Sequence, residues 1–167
     1  IEALDTCRYH AMVIQDPTDK KKIKGFLHLA PVYIPSAAAA EAAIPWAGGR
    51  RYPFPSTYVT LVRAMNKYTD IKVDVAKELS IDSQQIFKVP IIFLSYHIPF
   101  QITDHEAENV GRYLMAGGFI FSDTLLYSAI PVYRNMVELW KKSLAAVGEV
   151  YGRDWQFERL PNSHPLY

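Results

Sequence analysis

Val89-Pro90-Ile91-Ile92-Phe93-Leu94-Ser95-Tyr96 is a nearly continuous apolar run near the middle of the chain, and its reading decides the fold. An unalternating apolar run of this length suits a strand covered on both faces, as in a parallel sheet. Downstream, Thr103 stands three residues before Glu106 as a capping box, and Ala107, Val110, Gly111 and Leu114 recur on one helical face. Gly117 is placed to end that helix in the left-handed conformation, and Gly118-Phe119-Ile120-Phe121 enters a second buried strand. Strand, helix, strand in this order is a crossover unit.

Working outward extends the alternation. Pro55 and Ser56 open a helix in which Tyr58, Leu61, Val62, Met65 and Tyr68 recur as a core stripe, and Ile71, Val73 and Val75 then alternate as a strand. Further upstream, Ile23 to Ile34 reads as extended, with Pro31 tolerated only at an edge, a bulge or an end, and His28 reads as structural. Arg8 to Asp16 is predicted to form the first strand, with Cys7 ahead of it. Ser36 and the alanines that follow favour a short helix, but Pro45, Gly48, Gly49 and Pro53 forbid regular structure beyond it, so 36–54 reads as a loop insertion. On the downstream side, Pro131 starts a helix carrying Val132, Met136, Leu139, Trp140, Leu144 and Val147, and Trp155 to Leu160 alternates as one more strand. The expected organisation is an N-terminal strand and turn extension over 1–22, then a single α/β domain over 23–167. Its central, mostly parallel sheet includes 71–75, 89–96 and 118–122, with helices near 56–68, 103–116 and 131–147.

Composition bounds the function. The 167 residues are 50% hydrophobic and 21% charged, which suits one packed domain rather than a disordered chain. A formal net charge of +1 provides no overall field to recruit nucleic acid or an anionic membrane. A single cysteine excludes an internal disulfide and a cysteine-based zinc cluster. No phosphate-cradling glycine loop follows any strand, and no cofactor is expected.

In open α/β sheets the ligand crevice lies past the carboxyl ends of the strands. Ser95-Tyr96-His97 ends one predicted strand and Ser122-Asp123-Thr124 the next, so His97 and Asp123 are candidates for a meeting at the rim. As a catalytic pair His97 is the general base or a ligand and Asp123 its orienting partner or the nucleophile, while a structural His–Asp bond or an Asp123 cap is the simpler alternative. His164 completes a weakly supported set of two histidines and a carboxylate that would also suit a metal. Neither Ser95 nor Ser122 has the flanking glycines of a nucleophile elbow. Trp46, Arg50, Arg51, Tyr52 and Phe54 form the one basic and aromatic cluster and are candidate contacts for a protein partner rather than for nucleic acid.

Three phrases carry a family resemblance: Phe93-Leu-Ser-Tyr-His97-Ile-Pro-Phe100, Tyr113-Leu-Met-Ala-Gly-Gly-Phe119-Ile-Phe-Ser-Asp123, and Leu160-Pro-Asn-Ser-His164-Pro-Leu. Together, at this spacing over about residues 23–167, they resemble the bacterial family called domain of unknown function 4159. The resemblance implies a three-layer, flavodoxin-like fold of the class I glutamine amidotransferase-like type, and an exported protein. The chain departs from the family pattern at Tyr96-His97-Ile98, where Gly-His-Gly is usual, and at Thr124, where a second Asp is usual. No cysteine stands where an amidotransferase elbow would follow Asp123, which argues against glutaminase chemistry. The expectation is a non-catalytic interaction module, an accessory subunit of a periplasmic or envelope-associated assembly. Its partners would be other protein subunits, with possible association with a membrane complex but no transmembrane segment of its own. The start at Ile1 without Met is read as that of a processed or partial chain. The alternative is a hydrolase or amidotransferase-like enzyme using His97, Asp123 and His164.

Overall fold

The computed structural model describes residues 2–6, 11–15, 18–19, 23–42, 56–96, 99–123 and 129–164. In chain order the elements are β1 (Glu2–Thr6), β2 (Ala11–Gln15), β3 (Ile23–Tyr33), α1 (Pro35–Ala42), α2 (Ser56–Tyr68), β4 (Asp70–Val75), β5 (Leu79–Ser80), β6 (Ile91–Ser95), α3 (Asp104–Met115), β7 (Phe119–Asp123) and α4 (Ala129–Ala146). All seven strands belong to one sheet. Strands β3 to β7 are mutually parallel, and β1 and β2 add an antiparallel extension on β3.

The long strand β3 organises the rest because each of its edges is used twice. One edge takes β4 along Lys24 to Leu29 and then β5 at Val32 and Tyr33. The other takes β2 along Ile23 to Phe26 and then β6 along Leu29 to Val32. Pro31 is tolerated in the middle of this strand for a local reason. On the β4 side the carbonyls of Leu29 and Tyr33 accept from Ala76 N–H and Ile81 N–H. Pro31 has the same alternation, so the donor it lacks faces the gap between the end of β4 and the start of β5.

Alternation along the strands sorts side chains into two layers. Ala30, Val32, Ile92 and Leu94 face one way and pack with Val110 and Tyr113 of α3 and with Met136 and Leu139 of α4. Leu29, Val73 and Phe93 face the other way, against Val62 and Met65 of α2. The chain therefore winds from β3 through α2 to β4 in one direction, and from β6 through α3 to β7 in the opposite direction, with helices on opposite faces. This is how right-handed crossovers fill both sides of a sheet, and it makes the molecule a three-layer α/β domain of flavodoxin-like arrangement.

Several local features have direct causes. The Thr103 hydroxyl accepts from Glu106 N–H and the Glu106 carboxylate accepts from Thr103 N–H, so the capping box forms as the sequence requires. Gly117, at φ 88°, ends α3 in the left-handed region, where a side chain would be strained. Tyr113 is fully buried, and its hydroxyl donates to the carbonyl of Val89 at 2.9 Å, tying α3 to the entry of β6. Tyr113→Phe should lower the unfolding free energy by about 1 to 2 kcal/mol in urea titration, because the Val89 carbonyl loses a buried donor. At the outer edge of β4, Asn66 holds Val73 by two bonds, its amide oxygen accepting from the Val73 N–H at 2.9 Å and its amide nitrogen donating to the Val73 carbonyl at 2.8 Å. Asn66 thus stands in for a neighbour strand that no described residue supplies, and Asn66→Ala should cost about 2 kcal/mol in the same assay.

The structure corrects five expectations. Strand β7, expected to be buried, leaves Phe119 and Phe121 half-exposed. Trp155 to Leu160 is not a strand: only an isolated bridge joins Tyr151 to Trp155, and residues 156–159 are exposed. The alternating aromatics there pack on one another instead, with Trp155 and Phe157 ring centroids 5.0 and 5.8 Å from that of Tyr151. A strand, β1, precedes Cys7, so Arg8 to Asp16 does not hold the first one. The stripe on α2 is only partly core, because Leu61 and Tyr68 are exposed and Lys67 lies over the Tyr68 ring. Helix α4 starts at Ala129, two residues ahead of Pro131, which is tolerated because first-turn amides have no helical acceptor.

Candidate functional site

The reversal of winding between β3 and β6 is the kind of switch point at which α/β sheets hold ligands. A cavity of about 540 Å³ opens there, lined by Ser36, the stretch 99–103 and Asn135. Its size falls within the range of small-molecule sites.

The site is assembled from three chain segments. Ser36 arrives directly after β3, in the first turn of α1. Glu106, on α3, is 2% exposed and accepts from Ser36 N–H at 2.9 Å, from Thr103 N–H at 2.7 Å and from the Thr103 hydroxyl at 2.8 Å, while the single proton of the Ser36 hydroxyl is shared between the carboxylate at 2.7 Å and the Gln101 carbonyl at 2.6 Å. Burial pushes this carboxyl up, but the bonds from Ser36 and Thr103 outweigh it and hold it below the ordinary carboxylate range. One buried side chain thereby joins the end of β3, the start of α1 and the N-terminus of α3. Tyr96, just past β6, adds a second tie. Its hydroxyl oxygen accepts from Ile34 N–H at 2.5 Å and lies 3.2 Å from the Ile34 carbonyl, while its ring stacks on Phe100 at 5.0 Å.

The remaining wall is fixed by α4. Asn135 Oδ1 accepts from Phe100 N–H at 3.2 Å, and Lys142 Nζ donates to the Ile102 carbonyl at 2.9 Å. Lys142 also pairs with Asp104 at 2.7 Å, and that hydrogen bond, followed by the lysine charge, holds the Asp104 carboxyl below its usual range. The Glu106 and Asp104 carboxylates are thus engaged by protein groups, and none of the described lining residues is charged.

Of the residues singled out in the sequence, Asp123 is the last residue of β7 and lies opposite Ser95 in the parallel register. Its backbone is therefore at the same rim as the end of β6. His164 is half-buried in a turn in which its N–H donates to the Pro161 carbonyl at 2.8 Å. His97, Trp46, Arg50, Arg51, Tyr52 and Phe54 lie outside the described residues. Among the described residues, no group of three or more His, Cys, Asp or Glu is placed to hold a metal, and no helix is long and apolar enough to cross a membrane. His28, read as structural, has Nδ1 3.8 Å from the Asp74 carboxylate and borders a second, smaller cavity of about 200 Å³.

Sequence reading missed Ser36 and Asn135. The signal for Ser36 was present, since a serine between a strand and an alanine run sits where a helix begins. Asn135 carries no such signal, because only the docking of α4 on α3 brings it to the cavity.

Fold and site together define a three-layer α/β domain with a neutral crevice at its switch point. The chain belongs to the family described as Domain of unknown function (DUF4159), whose model matches residues 42–167. No curated protein matches the sequence significantly.

Proposed function

We propose that this chain is a non-catalytic binding module that serves as an accessory subunit of a protein assembly. The observation that carries the reading is the face of β7. Phe119 and Phe121 alternate onto one side of this strand, each 52% exposed, and the Phe121 ring lies 5.7 Å from the buried Phe93. Adjacent aromatics left half-exposed on a sheet face are the usual mark of a surface that is covered by a partner. The crevice supports the same reading, because the Glu106 carboxylate that a hydrolase would use there is engaged in holding segments together. Native mass spectrometry of the chain drawn from its source should show a defined complex with another protein. A monomer under every mild extraction condition would end the proposal.

The family resemblance supports placing that assembly in the bacterial periplasm or envelope. The encoded precursor should then carry, ahead of Ile1, a basic segment and an apolar stretch of about 7 to 15 residues. An upstream sequence that is short and polar would remove this placement and leave the binding proposal standing.

One observation favours a hydrolase as a second reading, namely the register that sets Asp123 beside Ser95, two residues before His97. On this reading the purified chain hydrolyses chromogenic esters or amides and loses that activity in both His97→Ala and Asp123→Asn. Hydrolysis that survives both changes, or none in the unaltered chain, would exclude it.

A further inference from the structure

We infer that the outer edge of β7 pairs with the same edge of a second copy of this chain, antiparallel and related by a two-fold axis at Phe121. The register fixes which groups face outward. Phe119 N–H donates to the Pro90 carbonyl at 2.9 Å, and the parallel ladder with β6 runs on to Ser95 and Asp123. Backbone groups alternate sides along a strand, so Phe119, Phe121 and Asp123 turn theirs to β6, and Ile120 and Ser122 turn theirs away from it. No described residue gives the N–H of Ile120 or Ser122 an acceptor, and Ser122 is exposed, as are Phe119 and Phe121. Strand β4, an edge that stays an edge, is guarded instead. Its outward amides are those of Ile71, Val73 and Val75, and each has a side-chain acceptor: the Thr69 hydroxyl at 3.2 Å, the Asn66 amide oxygen at 2.9 Å and the Asp74 carboxylate at 2.8 Å. Asp70, Lys72 and Asp74 also put charge on β4, whereas Phe119 to Ser122 of β7 carries neither charge nor proline. An apolar edge with open donors is one that accepts another strand.

The spacing of the open groups points to a second copy as the occupant. Ile120 and Ser122 flank Phe121 symmetrically, so a two-fold axis there sets Ile120 opposite Ser122 of the second copy and Ser122 opposite its Ile120. Opposed residues of this type exchange both N–H···O bonds, which satisfies every outward group of the two residues in both copies. Phe121 then meets Phe121 of the second copy as a close, non-hydrogen-bonded pair, a position that favours aromatic contact. The axis stands normal to the sheet, so the exposed aromatic faces of the two copies join on one side. Moving the axis to Ile120 would set Ser122 against Gly118, whose N–H already donates to the Tyr113 carbonyl at 3.0 Å. Charge agrees with the axis at Phe121: Asp123 falls opposite Phe119 of the second copy, and the two Asp123 positions lie about 13 Å apart along the strands, so like charges do not oppose each other.

Sedimentation of the purified full chain from about 5 to about 300 µM should show a monomer passing into a dimer. Amide hydrogen exchange, read by nuclear magnetic resonance at the two ends of that range, locates the contact. The Ile120 and Ser122 amides should slow at least about tenfold in the dimer, whereas the Phe121 amide, turned to β6, should be protected equally at both concentrations. Ser122→Pro removes one outward donor from each copy without touching the ladder to β6, so it should weaken association about tenfold or more. Ser122→Ala keeps the donor and should associate like the parent, and protection of Phe121 checks the ladder in both variants. A chain that stays monomeric at the upper concentration overturns the pairing, as does a dimer in which Ile120 and Ser122 exchange as fast as in the monomer, or one that Ser122→Pro leaves intact. A chain that is monomeric alone yet is held by another protein in its native complex removes the self-pairing and leaves the accessory-subunit reading standing. A β7-paired dimer with no other protein in the native complex supports the pairing and removes that reading.

Discussion

Glu106→Ala is expected to lower the unfolding free energy by about 4 kcal/mol, the largest loss of any single side-chain truncation considered. The wild-type carboxylate accepts three hydrogen bonds at 2.7 to 2.9 Å from Ser36 N–H and from the N–H and hydroxyl of Thr103, and shares the Ser36 hydroxyl proton with the Gln101 carbonyl, while the residue is 2% exposed. Removing it orphans the Ser36 and Thr103 amides at about 1 to 3 kcal/mol each and abolishes the cap of α3. The same group sets a pH dependence. Its pKa is lower in the folded protein than in the unfolded chain. It therefore contributes stability that is fully present above the unfolded value and is lost as pH falls through the lower folded value. Urea titrations from neutral pH down to about pH 3 should show the unaltered protein losing more stability than Glu106→Gln over the acidic part of that range. Equal losses in the two proteins would show that Glu106 does not hold the crevice together.

Gly111→Ala is expected to cost about 3 kcal/mol, from overpacking rather than from any lost contact. Gly111 lies where α3 crosses α4, and a Cβ built on it would overlap the backbone carbonyl of Ser143 and come to 3.0 Å from Val147 Cγ1. A main-chain carbonyl inside a helix cannot turn aside, so relief requires the two helices to separate. Separation would shift Asn135 and Lys142, the two α4 side chains that fix the crevice wall. Thermal unfolding measures the stability loss, and the amide signals of Phe100 and Ile102 report the displaced wall. An alanine variant as stable as the parent would contradict the close helix crossing.

How far the sequence carried these conclusions depended on which residues were in question. The parallel strands β6 and β7 and the capped helix between them were legible as elements because Thr103 caps the helix it precedes and the apolar runs extend; the run of β6 is buried, whereas that of β7, expected to be buried, leaves Phe119 and Phe121 half-exposed. Glu106 was legible only as half of a cap. Its bonds to Ser36 join positions 70 residues apart, and no local pattern encodes that pairing. The failure at Trp155 to Leu160 has the opposite cause. Period-two alternation was real, but its aromatics found partners in Tyr151 and in each other, and the expected strand did not form. Cases such as Leu61 and Tyr68 show why helical spacing overstates a core: a one-sided helix on a narrow sheet buries only the centre of its stripe.

The central claim is that the aromatic face of β7 is where this module meets its partner. Its most direct test is native mass spectrometry of the complex formed in the source organism by a chain carrying Phe119→Ser and Phe121→Ser together. Both side chains are half-exposed, so the change should leave the thermal midpoint of the isolated chain within a few degrees of its original value. The account predicts that the complex found with the unaltered chain is lost and the altered chain runs alone. A complex of unchanged composition and abundance with the doubly substituted chain would contradict it.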